Sequence, residues 1–248
     1  HDVCLQNLPV TFCLDRAGLS PNDGPTHHGV FDLSFLRCVP NALVMQPKDE
    51  DELQDMLFTG ISSGQPAFIR YPRGNGLGVT LKKSPETIEI GKAEVITQGE
   101  TCSIWALGPF VENAKRLAEK LSAKYNFECS LVNVRFVKPL DVDLLIKHAT
   151  SHDFIVVLED NVMMGGLGSA IMESLQANDL QIPVKSFGWP DTFIPHGSSV
   201  NELRAKYGLD DQSILTSVEN FINKRHKNPE RAIACLLYTS DAADDPTC

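Results

Sequence analysis

Ala42-Leu-Val-Met45, then Gln-Pro-Lys-Asp49, then Leu53, Met56, Leu57 and Ile61 in a helical stripe, then Pro66-Ala-Phe-Ile-Arg70, decide the fold of this 248-residue chain. The two apolar runs have strand length, and Pro47 closes the first. Asp49 is placed to cap the segment between them, whose four apolar residues fall on one helical face. Strand, helix and strand at that spacing predict a parallel α/β sheet. Upstream, Pro9-Val-Thr-Phe-Cys-Leu14 reads as a further buried strand, and it feeds a loop dense in Gly, Pro, Asn and Asp from Gly18 to Gly29.

A second α/β unit follows. Residues 81–90 lack a clear period and read as a linker between a first unit, 1–80, and a second, 91–226. In the second unit Cys102–Leu107 is a strand that turns at Gly108-Pro109, with Val111, Ala114, Leu117, Ala118 and Leu121 on the buried stripe of the next helix. Cys129–Val134, Phe154–Leu158 and Ile182–Phe187 supply more strands, with helices near 141–150, 167–178, 199–207 and 211–225. Residues 227–248 form a tail. Within it, 235–248 resembles the translation of a sequencing adapter and is expected to lie outside the fold.

The net charge of −10 argues against a nucleic-acid track. No apolar run approaches the roughly 18 residues that span a membrane. Seven cysteines without CxxC spacing suit buried, reduced thiols better than disulfides.

In an open parallel sheet, ligands bind beyond the carboxyl ends of the strands. The loop Asp15-Arg-Ala-Gly-Leu-Ser-Pro-Asn-Asp-Gly-Pro-Thr-His-His-Gly29 and the segment Arg70-Tyr-Pro-Arg-Gly-Asn75 both sit there, so both can face one cleft. Arg73, between Pro72 and Gly74, offers a planar fork that matches phosphate oxygens, and a second arginine would fix the phosphate's orientation. His27 can exchange a proton near neutral pH. Asp23 can accept from a hydroxyl or orient an imidazole. This set suits a phosphorylated hydroxy-aldehyde. Gly165-Gly-Leu-Gly168 lacks dinucleotide-loop spacing and is expected to serve close packing or a turn. His148 and His152 lack the Glu of an HExxH site, and Glu159 is expected to serve packing or subunit contact.

The ordered series Asp15-Arg-Ala-Gly18, Asp23-Gly-Pro-Thr-His27 with Gly29, Phe31-Asp32, Leu36-Arg-Cys38, Tyr71-Pro-Arg-Gly-Asn75, Arg135-Phe-Val-Lys-Pro-Leu-Asp141, Glu159-Asp-Asn161 with Gly165-Gly-Leu-Gly168, and Phe193-Ile-Pro195 with Gly197 resembles the 1-deoxy-D-xylulose-5-phosphate synthases from residue 1 to about 226. The resemblance implies a truncated pyrimidine-binding domain of the transketolase type followed by a transketolase C-terminal domain. It implies a cytoplasmic homodimer (plastidial in a plant or alga) that joins pyruvate to glyceraldehyde 3-phosphate with loss of carbon dioxide. Arg16 and Arg73 would grip the acceptor's phosphate, and Asp23 and His27 would meet its hydroxyl and carbonyl groups, with His27 as proton donor. The family's thiamine diphosphate and Mg2+ would be held by residues upstream of His1, so this stretch is expected to be a fragment, inactive alone. A transketolase, or the beta subunit of a 2-oxo-acid dehydrogenase, shares the two-domain plan. Asp15–Gly18 and Tyr71–Asn75 favour the synthase. A non-catalytic binding or scaffolding role is the reading from another class, and for 91–226 it is the preferred one.

Overall fold

A computed structural model describes residues 1–197 and 199–227. The adapter-like stretch lies outside the described residues. In chain order the elements are α1 (Asp2–Leu5), β1 (Thr11–Leu14), α2 (Asp32–Arg37), β2 (Leu43–Met45), α3 (Glu50–Ser62) and β3 (Ala67–Arg70), then β4 (Glu94–Thr97), β5 (Cys102–Ala106), α4 (Phe110–Tyr125), β6 (Cys129–Asn133), β7 (Phe136–Lys138), α5 (Val142–Ser151), β8 (Phe154–Val162), α6 (Leu167–Ala177), β9 (Val184–Trp189), α7 (Val200–Lys206) and α8 (Asp211–Lys227). They build two sheets, β1-β3-β2-β7 and β4-β6-β5-β8-β9.

In the first sheet β1, β3 and β2 are parallel, as the strand–helix–strand spacing predicts. Asp49 caps α3 by accepting from Glu52 N–H at 2.8 Å, and Glu52 reaches back to Lys48 N–H at 2.7 Å. The stripe expected on α3 is corrected. Met56 is buried, but Leu57 and Ile61 are 40% and 65% exposed. The helix buries Glu52, Asp55, Met56, Thr59 and Gly60 instead. The residues read as a linker explain this, because they lie along α3 and satisfy its polar side chains. Asp55 accepts from Glu86 N–H and Thr59 Oγ1 accepts from Ile88 N–H, each at 2.8 Å. Buried polar groups are tolerated once such partners exist.

The short β7 escaped the sequence reading. After β6 the chain turns at Arg135, whose φ is +60°, and Phe136–Lys138 then pairs antiparallel with β2. Three residues followed by proline carry too little period to be recognised. Antiparallel β4, at the far edge of the second sheet, escaped as well. Otherwise the second unit follows its pattern, with β6, β5, β8 and β9 parallel and Val111, Ala114, Leu117 and Leu121 buried on α4.

The units share their cores. Leu33 and Leu36 of α2 cluster with Trp105, Val157 and Ile171, while Leu19 and Val30 join the cluster of Phe110 and Ile194. The rings of His148 and His152 lie tilted against each other with centroids 4.6 Å apart and bond to Ser103 and Ser130. Burial, then the neighbouring His152, pushes His148 down to about 4, so it is a neutral packing group rather than a cation at a helix end. The glycine cluster admits a carboxylate. Glu159 accepts from the N–H groups of Leu167 and Gly168 at 2.7 and 2.9 Å, and a Cβ on Gly166 would overlap it.

Desolvation raises Glu159 to about 7 against the pull of those two N–H bonds. The native state therefore keeps a proton that the unfolded chain releases, and stability falls as pH rises from the ordinary carboxylate range to about 7. Glu159→Gln is expected to be less stable throughout but to lose this slope, on the order of 2–3 kcal/mol. Urea unfolding of both proteins at about pH 5 and 7.5 measures it.

Candidate active site

The residues that end β1 and β3 are register partners, Leu14 opposite Arg70, so the two loops leave the sheet side by side. Tyr71 N–H donates to Leu14 C=O at 3.0 Å, and Ala17 N–H donates to Tyr71 C=O at 2.9 Å. The longer loop closes on itself through Gly29 N–H to Arg16 C=O and Gly18 N–H to Gly29 C=O. Arg16 is held at φ +63°, a left-handed backbone that an arginine adopts only under constraint.

Three of the four expected site residues converge. Asp23 Oδ2 accepts from Arg16 Nε at 2.9 Å and from Arg73 Nη1, and Arg16 also pairs with Asp15. Hydrogen bonds from Arg73 and then Arg16 hold the Asp23 carboxyl down at about 2, so it is ionised at every working pH. Two guanidiniums and two carboxylates balance in formal charge. Arg73 Nε and Nη2 have no protein partner among the described residues and so remain as outward-facing donors. A cavity of about 190 Å³ opens beside Arg73, lined also by Leu19, Ser20, Pro21, Asn22, Gly74 and Val200. His27 stands apart. Its exposed ring meets the Thr26 hydroxyl at 3.0 Å, and Asp23 does not orient it.

The sequence reading passed over the groups that shape this loop from behind. Arg70 is fully buried, donating from Nη1 to Gln46 Oε1 at 2.9 Å and from Nη2 to the carbonyls of Gly29 and Asp160, with Asp32 Oδ2 at 3.5 Å from Nε. An arginine that ends an apolar strand was the available signal. The second unit, given no part in the acceptor site, lies against the loop at two of its glycines. A Cβ on Gly18 would overlap the Asp160 carboxylate, and one on Gly24 would overlap the His196 ring. Asp160 is fixed by Trp189 Nε1 at 2.7 Å and Arg204 Nη2 at 3.0 Å.

The model of the transketolase pyrimidine-binding domain matches residues 1–77, and that of the transketolase C-terminal domain matches residues 91–214. The chain belongs to the transketolase family. It is 55% identical over 215 residues to a 1-deoxy-D-xylulose-5-phosphate synthase of Methylacidiphilum infernorum, covering 87% of this chain and 34% of that protein. Against the synthase of Acidobacterium capsulatum it is 48% identical over 224 residues, covering 90% and 35%. The chain thus spans about a third of the length of the curated relatives it matches. Among solved structures, a split-gene transketolase described as an inactive beta4 tetramer superposes with a TM-score of 0.75 at 30% identity, covering 88% of this chain and 68% of its own. A transketolase from Pichia stipitis superposes at 0.66 with 18% identity, covering 91% and 32%, which shows the fold alone.

Gly18 has φ +76° and no room for a side chain. Gly18→Ala is expected to cost at least about 1–2 kcal/mol from the backbone alone, plus the displacement of Asp160. A fall in thermal midpoint, with Gly64→Ala (φ +67°, nothing within 4 Å of its Cβ) as the backbone-only control, measures the second part.

Proposed function

We propose that this chain carries the acceptor side of a 1-deoxy-D-xylulose-5-phosphate synthase, which condenses pyruvate with glyceraldehyde 3-phosphate. The supporting observation is the convergence of Arg16 and Arg73, from two neighbouring strand ends, on Asp23. The guanidiniums bind the acceptor's phosphate through their outward donors. Asp23 keeps them apart at a fixed spacing and accepts from the acceptor's hydroxyl. His27, exposed on the same loop, would donate a proton to the acceptor's carbonyl oxygen.

The carbon–carbon chemistry belongs to the family's thiamine diphosphate. The donor set of Arg16 and Arg73 fits an anionic acceptor.

The enzyme works as a cytoplasmic homodimer in this reading. All five described cysteines are free thiols, which suits a reducing compartment. Met163, Met164, Met172 and Phe35 are exposed where α2 meets α6, and Ser34 Oγ bonds the Met164 carbonyl there. Exposed methionine and phenylalanine together mark an interface. The split-gene transketolase, a tetramer of a comparable chain, also self-associates by its description.

In the full-length enzyme Arg73→Ala is expected to raise the apparent KM for glyceraldehyde 3-phosphate by roughly 10- to 100-fold, the value of one or two charge-assisted hydrogen bonds. The KM for pyruvate should stay unchanged. An unaltered KM for the phosphorylated acceptor would remove the phosphate role. Light scattering on the 248-residue chain should give more than one copy per particle, and Met164→Lys should reduce it.

A further inference from the structure

Next to the exposed His27, His28 turns inward and is only 6% exposed. Its Nδ1 accepts the N–H of Ser20 at 2.9 Å, so that nitrogen carries no proton. The proton is on Nε2, which lies 3.4 Å from the carbonyl of Pro195 and donates to it. Ser20 in turn accepts, at its own carbonyl, from Asp23 N–H at 2.9 Å and Gly24 N–H at 3.2 Å. His196, the residue after Pro195, lays its ring on Gly24. The contacts close a ring: His28, Ser20, the Asp23–Gly24 turn, His196, Pro195 and back to His28. One imidazole thus clips the turn that presents Asp23 to the second unit of the chain.

We propose that His28 is a positioning residue whose neutral, Nε2-protonated ring holds the Asp23 turn in its anion-binding shape and whose protonation opens that turn. An imidazolium would point an N–H at the Ser20 N–H, donor against donor, where the neutral ring accepts. The proposal rests on the anion-site reading of Arg16, Asp23 and Arg73. The charged groups around the clip are the Asp32–Arg70 pair behind Gly29, the Asp15, Asp23, Arg16 and Arg73 cluster, and Asp160 at Gly18. His196 and His27 are the other imidazoles on this loop or against it. Protonation of the ring would weaken the site through the clip while the arginines stay charged.

Glutamine separates the clip from simple packing. In His28→Gln, Oε1 can accept from Ser20 and Nε2 can donate to Pro195, with nothing to titrate. The 15N-labelled 248-residue chain should show bare Nδ1 and protonated Nε2 for His28 at about pH 7.5. Inorganic phosphate, followed by amide shifts and calorimetry, should bind the wild type and H28Q within about twofold at that pH. At about pH 5.5 the wild type should lose several-fold more affinity than H28Q, which shares His27, His196 and the titration of phosphate itself. His28→Ala should lose roughly tenfold at both pH values, the worth of a lost buried hydrogen bond. H28Q as acid-sensitive as the wild type, or an Nδ1-protonated ring, overturns the clip. If phosphate fails to bind the wild type, the anion site falls, and the pH titration of the Ser20 and Asp23 amides in wild type against H28Q still decides the clip.

Discussion

A fully buried guanidinium organises this molecule. Arg70 stands where β3 ends and reaches the end of β2 through Gln46, the base of the 15–29 loop through Gly29 and the end of β8 through the Asp160 carbonyl. Taking such a charge out of water costs several kcal/mol unless its donors are met. Burial depresses its pKa, and the surrounding Asp32, Asp160 and Glu159 pull it back up. The same need that fixes Arg70 therefore fixes which backbone carbonyls must face it. The place of Gly29, at the base of the loop, thus follows from satisfying a buried cation.

What the sequence could reveal was whatever is written in short spacing. The strands before and after α3, the Asp49 cap and the buried stripe of α4 are local patterns, and they are found in the structure. The meeting of Arg16 with Arg73 was legible too, because a general rule about strand ends places both loops on one rim. The α3 face was misread because its burial depends on residues 82–88, whose amides turn Asp55 and Thr59 into acceptable interior groups. β7 was invisible because its partner is nearly a hundred positions earlier. The support from Asp160, Pro195 and His196 had no local signal at all. Adjacent histidines at 27 and 28 were one hint, since one points to solvent and the other to Ser20.

The second unit also lies against the loop of the first. Its Asp160 carboxylate lies against Gly18, one residue beyond the Ala17 that follows Arg16, and its His196 ring lies against Gly24, next to Asp23. Glycine at these two places is required by contact as well as by its left-handed backbone. Two residues that bear on the proposed phosphate site are thus each braced by a neighbour from the other half of the chain.

The strand β7 also limits what kind of machine this can be. Because Phe136–Lys138 is hydrogen-bonded into the sheet of the first unit, the halves are stitched rather than hinged. They cannot shut on a ligand like a pair of jaws without tearing a ladder. Any closure over the candidate site must come from a piece outside this pair, or from the loop of residues 15–29 itself. The pair is an anvil: a fixed seat that leaves the moving to others.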